Sequence, residues 1–237
     1  MIKNNQLVVQ DIPVQVIRKD IKRLRLAVYP PDGQVRVSVP KFVSDKEVRQ
    51  VVLARLDWIR QQQTRIRRYV YQPEHQFESG EQHAVFGQPC QLEVIQHQGR
   101  QKVVHELSGR LRMFVKPPAT QSQKAKLLDD WYRQALKQHI PELLETWQPI
   151  MGKQVSAWGI KKMKTRWGSC NIQHARIWLN LELAKKPFSC LEYVLVHEMV
   201  HLFERLHNQR FKNYMDKFLP DWRERKEVLN SHQVHAL

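Results

Sequence analysis

Cysteine is scarce in this 237-residue chain and never closely paired: Cys90, Cys170 and Cys190 are scattered, with no C-x-x-C between them. That argues against a disulfide scaffold and against a zinc site built from cysteine. No apolar run is long enough to cross a membrane. The opening Met1-Ile2-Lys3-Asn4-Asn5-Gln6 lacks the apolar stretch of a secretory signal, so a cytoplasmic protein with no membrane partner is expected. Acidic residues are also short: 23 Asp and Glu stand against 39 Lys and Arg, a formal net charge of +16. The basic residues gather in Arg18-Lys19, Lys22-Arg23 and Arg25; in Arg60, Arg65, Arg67 and Arg68; and in Lys161, Lys162, Lys164 and Arg166. Each cluster alone reads as a solvated face, but the total favours polyanions, with non-specific nucleic acid or nucleotides among them. No recognised nucleic-acid motif accompanies the charge, and no internal repeat or low-complexity segment shows.

Histidine is where the chemistry gathers. His197-Glu198-Met199-Val200-His201 is followed by His207. Residues four apart share a helix face, so His197 and His201 can aim two imidazole nitrogens at one ion. Glu198 sits one step round the helix, able to reach a water on that ion without ligating it. Three neutral imidazoles would leave a fourth tetrahedral position open, the mark of a catalytic rather than a structural zinc site. The bland alternative is a helix carrying hydrogen-bonded core histidines, and for His207 a solvent-facing loop residue.

The surroundings favour the metal reading. Ser189 and Glu192 have capping-box spacing, with Phe188 placed to staple onto Tyr193. Leu191, Val194, Leu195 and Leu202 make an apolar face, so the helix is expected to be largely buried, where unpaired polar groups are costly. His201 to His207 has the offset of the longer H-E-x-x-H-x-x-G-x-x-H pattern. Its glycine is Glu204 here, so the turn must be built differently. Asn208 is placed to cap a further helix over Gln209–Phe218, halted by Pro220, which leaves His207 at the corner between two helices.

Ahead of this lie four short strands: Gln6–Val9, Val14–Arg18, Leu24–Tyr29 and Val35–Val39, the last two joined by a turn at Pro30-Pro31-Asp32-Gly33. Ser44 and Glu47 open a helix running to about Arg68, and 69–82 reads as a connection. Strands at Ala84–Phe86, Gln91–Gln96, Lys102–Glu106 and Leu111–Val115 follow, closed by Pro117-Pro118. A helix starts near Ser122, which Pro141 is expected to break or kink. Val155–Cys170 and Ile177–Asn180 read as strands. Val155–Met163 and Arg176–Asn180 are the candidate edges for an extended substrate, or simply core strands.

The segment Lys162-Met163-Lys164-Thr165-Arg166-Trp167-Gly168-Ser169-Cys170, with Ile177–Asn180, Tyr193–His201 and His207, resembles the YgjP-like metal-dependent hydrolases, relatives of the SprT-like and WLM zinc peptidases. Asp11-Ile12-Pro13-Val14, the turn near Gly33 and Trp58-Ile59 extend the resemblance over most of the chain. Asn208 and Lys212 depart from the family's usual Ser and Trp. The resemblance implies an α+β protein: a β-rich N-terminal part with one long helix over residues 1–120, packed against a zincin-like catalytic part over 121–237 that carries the HExxH helix. It implies Zn2+ held by His197, His201 and His207, with Glu198 as general base. Arg166 is the first candidate for an oxyanion donor, ahead of Tyr193 and Tyr214; pairing with a carboxylate is its structural alternative. Cys170 lacks the Cys-His-Asn arrangement of a nucleophile. The expected function is a zinc metallopeptidase acting on peptide or protein. A nucleotide (UTP) pyrophosphohydrolase is the alternative, as is a nucleic-acid-associated zinc protein, and the oligomeric state is left open.

Overall fold

The computed structural model describes residues 4–29, 32–68 and 75–231. Pro30-Pro31 of the expected turn and residues 69–74 of the expected connection lie outside them. Contacts divide the chain into two compact units, the first reaching Pro73 and the second running Glu74–Ser231. The boundary expected after residue 120 therefore falls inside the second unit. Among the described residues no helix is long and apolar enough to cross a membrane.

In the first unit, alternating valines and polar residues form β1 (Asn4–Val9), β2 (Ile12–Lys19), β3 (Arg25–Tyr29) and β4 (Gln34–Pro40). The sheet order is β1-β2-β4-β3, with β2 and β4 parallel and the other pairs antiparallel. Val14, Val16, Val35, Val37 and Val39 share one core with Val48, Val52 and Ile59. Ser44 and Glu47 close the expected capping box, each side chain accepting the other's backbone N–H. The single helix expected to Arg68 is two, α1 (Asp45–Leu53) and α2 (Leu56–Arg68). Between them the Arg55 N–H turns to the Val52 carbonyl, an i→i−3 tightening that breaks the α ladder.

The second unit begins with β5 (Gln82–Val85), β6 (Gln88–Gln96), β7 (Lys102–His105) and β8 (Arg110–Val115). Their order is β5-β6-β8-β7, with β6 and β8 parallel and the other pairs antiparallel. The topology of the first sheet is thus repeated, and each sheet leads into a helix closed by a capping box: Ser44 with Glu47, then Thr120 with Gln123. This structural repeat has no counterpart legible in the sequence. The helix is α3 (Gln121–Met151), uninterrupted at Pro141 and Pro149. A proline in a helix costs about 3 kcal/mol. Here Leu136, Ile140, Leu143, Leu144, Trp147 and Met151, all buried along α3, offset it.

The expected strand over Val155–Cys170 is two, β9 (Ala157–Lys161) and β10 (Gly168–Asn171), separated by the loop 162–167. With β11 (Arg176–Asn180) they form a sheet of order β10-β11-β9. A 3-10 turn (Leu181–Lys185) leads to α4 (Phe188–Val200), α5 (Gln209–Phe218) and α6 (Trp222–Ser231). Leu92, Leu111 and Met113 of the sheet share a core with Leu128 and Leu136 of α3 and Leu191, Leu195 and Met199 of α4.

The start of α4 differs from expectation. Pro187 occupies the cap position and no side chain caps the helix. Glu192 has other partners: it accepts from Trp147 Nε1 at 3.0 Å and pairs with Arg225 of α6. Phe188 packs edge-on against His139 and Phe86 instead of stapling to Tyr193. Side-chain contacts to α3 and α6 therefore hold this helix end in place of a local cap.

Candidate metal centre

Helix α4 is buried almost all round, and His201 is its C-terminal cap residue. The His197 and His201 rings meet edge to face with centroids 5.1 Å apart. Beyond the cap, the N–H groups of Leu202, Phe203 and Glu204 turn back onto Met199 and Val200 carbonyls. Glu204 builds the corner that glycine builds in the longer motif: its carboxylate accepts the Leu206 N–H at 3.1 Å. Asn208 Oδ1 then accepts the Phe211 N–H at 3.0 Å and starts α5, as the spacing predicts. His207, held at this corner, brings its Nε2 to 3.0 Å from His197 Nε2.

One ring nitrogen from each of His197, His201 and His207 lies within 4.8 Å of the others. The Phe211 ring packs against all three, at 4.9, 4.8 and 4.7 Å. His201 Nδ1 donates to the Glu204 carbonyl at 3.0 Å, which leaves its Nε2 as a lone-pair donor. Burial pushes His197 down to about 3, with the neighbouring His201 and His207 adding to the shift, and burial lowers His201 as well. Neutral imidazole is the form that ligates. Two nitrogens on one tetrahedral zinc stand about 3.3 Å apart, close to the separation between His197 and His207. The donor set therefore fits a divalent cation.

Glu198 is buried on the same helix, and desolvation pushes its carboxyl up to about 8 against the opposing pull of the Arg166 cation. It packs against Gly168 of β10 so tightly that a Cβ there would lie 2.6 Å from Oε1. Of the two expected edges, Val155–Met163 holds the edge strand β9, whereas Arg176–Asn180 is the central strand β11. The edge strand bordering Glu198 is β10.

These groups line a cavity of about 530 Å³, together with Arg166, Cys170, Tyr193, Arg205 and Lys226. Arg166 sits on the loop 162–167, which Asn180 clamps. Its Nδ2 donates to the Met163 and Arg166 carbonyls, both at 2.9 Å, and its Oδ1 accepts the Met163 N–H at 3.2 Å. Arg166 forms no salt bridge among the described residues, so the carboxylate pairing considered for it is absent there. Tyr193 lines the cavity, whereas Tyr214 stacks on Phe203 and Phe218 and does not. Burial, with Glu198 nearby, pushes the Cys170 thiol up to about 11, which keeps it protonated and a poor nucleophile. Arg205, Lys226 and the Asn180 clamp carry no local sequence signal that marks them as functional. Gly168 is legible only as a strand glycine, the residue type that marks close approach.

Residues 22–232 match the family described as YgjP-like, metallopeptidase domain. The chain belongs to this family. The YgjP-like protein is therefore a metal-dependent hydrolase by family. Among solved structures, it is similar to the metallopeptidase zymogen of Pyrococcus abyssi abylysin, at 20% identity and a TM-score of 0.34. That similarity covers 41% of this chain and 98% of the other. No curated protein matches it.

Proposed function

We propose that the protein is a zinc metallopeptidase in which His197, His201 and His207 hold the ion and Glu198 is the general base. One observation carries the reading: three imidazoles converge beside a desolvated carboxylate inside a single cavity. Zinc, when bound, would polarise a scissile carbonyl and lower the pKa of its water to about 7. Glu198 takes the proton of the attacking water and returns it to the leaving nitrogen, acting as general base and then general acid. Gly168 gives that carboxylate room, and the position of β10 at the edge of its sheet supports pairing with an extended peptide. Arg166 and Tyr193, which line the same cavity, are the proposed donors to the developing oxyanion.

A specific observation favours a second reading. Arg166, Arg205 and Lys226 line the cavity, and Glu198 is its one acidic lining residue among those described. That balance suits the phosphates of a nucleoside triphosphate. A purely structural zinc site gives Glu198 no purpose.

Zinc-loaded protein and its Glu198→Gln variant, each offered a denatured protein and a panel of nucleoside triphosphates, separate these readings. Peptide cleavage by the parent alone, without phosphate release, supports the peptidase. Glu198-dependent phosphate release without peptide cleavage supports the phosphohydrolase. Equal activity in both proteins contradicts both.

A further inference from the structure

A second cluster of ligating side chains lies on the β5 side of the second unit, spaced His75-x5-Glu81-x-His83. Glu81 immediately precedes β5, and His83 lies on it. Residues two apart on an extended chain share a face, so Glu81 and His83 point the same way. The segment before them folds back to add His75. Its shape is fixed by the Gln121 amide donating to the His75 carbonyl at 2.7 Å and by Lys124 Nζ donating to the Phe77 carbonyl at 3.2 Å. One ligand atom from each of His75, Glu81 and His83 lies within 4.8 Å of the others.

The two oxygens of the Glu81 carboxylate face different partners. Oε1 accepts the backbone N–H groups of Gln76 at 2.9 Å and Glu78 at 3.2 Å. Oε2 faces the histidines, 3.1 Å from His75 Nδ1 and 3.4 Å from His83 Nε2. The His83 side chain is only 2% exposed, and its buried Nε2 makes no well-formed hydrogen bond, only the long approach to Glu81 Oε2. A buried nitrogen so weakly satisfied is costly, and an ion between the three side chains would satisfy it. Ligands about 2.1 Å from one ion stand about 3.0–3.4 Å apart in octahedral or tetrahedral geometry, which matches both measured separations. His75 and Glu81 are 35% and 21% exposed, which leaves the cluster open to an ion from solvent. The nearby Lys185 charge is matched by Glu182 at 2.8 Å.

We propose that His75 Nδ1, Glu81 Oε2 and His83 Nε2 form a second divalent-metal site, a two-histidine, one-carboxylate set of the kind that takes zinc, cobalt or iron(II). It is independent of the His197 centre. An ion held there would tie the segment 75–81 to β5 at the edge of the sheet, a structural role rather than a catalytic one.

The test is cobalt(II) titration of the chelator-stripped full-length protein, with bound metal counted by mass spectrometry and the fold checked by circular dichroism. The expected stoichiometry is two ions per chain. It should fall to one in Glu81→Gln, which keeps the side chain's shape, and in the half-exposed His75→Ala. His201→Ala should retain the ion bound by His75, Glu81 and His83. The same ion should raise the Tm of His201→Ala but not of a His201→Ala/Glu81→Gln double variant. Metal content unchanged by Glu81→Gln and His75→Ala in folded protein would overturn the proposal, as would complete loss of metal in His201→Ala.

Discussion

At the scale of single residues, the centre depends on what Gly168 lacks. Its Cα borders the Glu198 carboxylate, and any side chain there meets Oε1 at 2.6 Å and Cγ at 2.7 Å. Gly168→Ala must therefore displace the carboxylate while leaving all three histidines untouched. The expected result is a fall in kcat of about 100-fold or more with metal content unchanged, because a small misplacement of a reacting group is that costly. Unchanged kcat would show that Glu198 does not need its present position. His197, Glu198, His201 and His207 are all legible as types at a spacing. The Gly168 contact is not, since it joins a strand to a helix across sequence that no local pattern connects. Asn180 is likewise invisible, because it satisfies backbone groups of a loop fourteen and seventeen residues away.

At the scale of elements, capping chemistry decides where His207 stands. The ring precedes Asn208, whose side chain holds the first turn of α5. Asn208→Ala should cost about 1 kcal/mol of stability, the usual loss for a removed cap. It should also weaken metal binding, because the corner that carries His207 loses its anchor. A calorimetric titration of the stripped variant with zinc checks this; unchanged affinity would assign the cap to stability alone. Caps are the readable part of the helices: Ser44, Asn208 and their partners form as spacing predicts. Ser189 with Glu192 does not, since Trp147 and Arg225 claim the Glu192 carboxylate through tertiary contacts. Pro141 misleads for the same reason. A local rule against proline is outweighed by a buried face extending from Leu128 to Met151.

At the scale of the whole molecule, two sheets of identical strand order each lead into a capped helix, and only the second unit carries the histidine centre. The class of fold is legible from alternation and turns. The repeat is not, because the two copies share a pattern of strand pairing rather than matching residues. The charge of +16 is a property of the same scale. It predicts retention on a non-specific polyanion at about 50 mM salt, with affinity falling steeply by about 200 mM as counterions are released. Salt-independent or absent binding would confine the charge to solubility.

The most direct test is zinc-edge X-ray absorption on the zinc-loaded Glu81→Gln variant, in which the proposed His75-Glu81-His83 site is disabled. Zinc held by His197, His201 and His207 predicts three imidazole nitrogens and one further light scatterer at about 2.0–2.1 Å. A first shell containing sulfur, or one with fewer than three imidazoles, would contradict that ligand set.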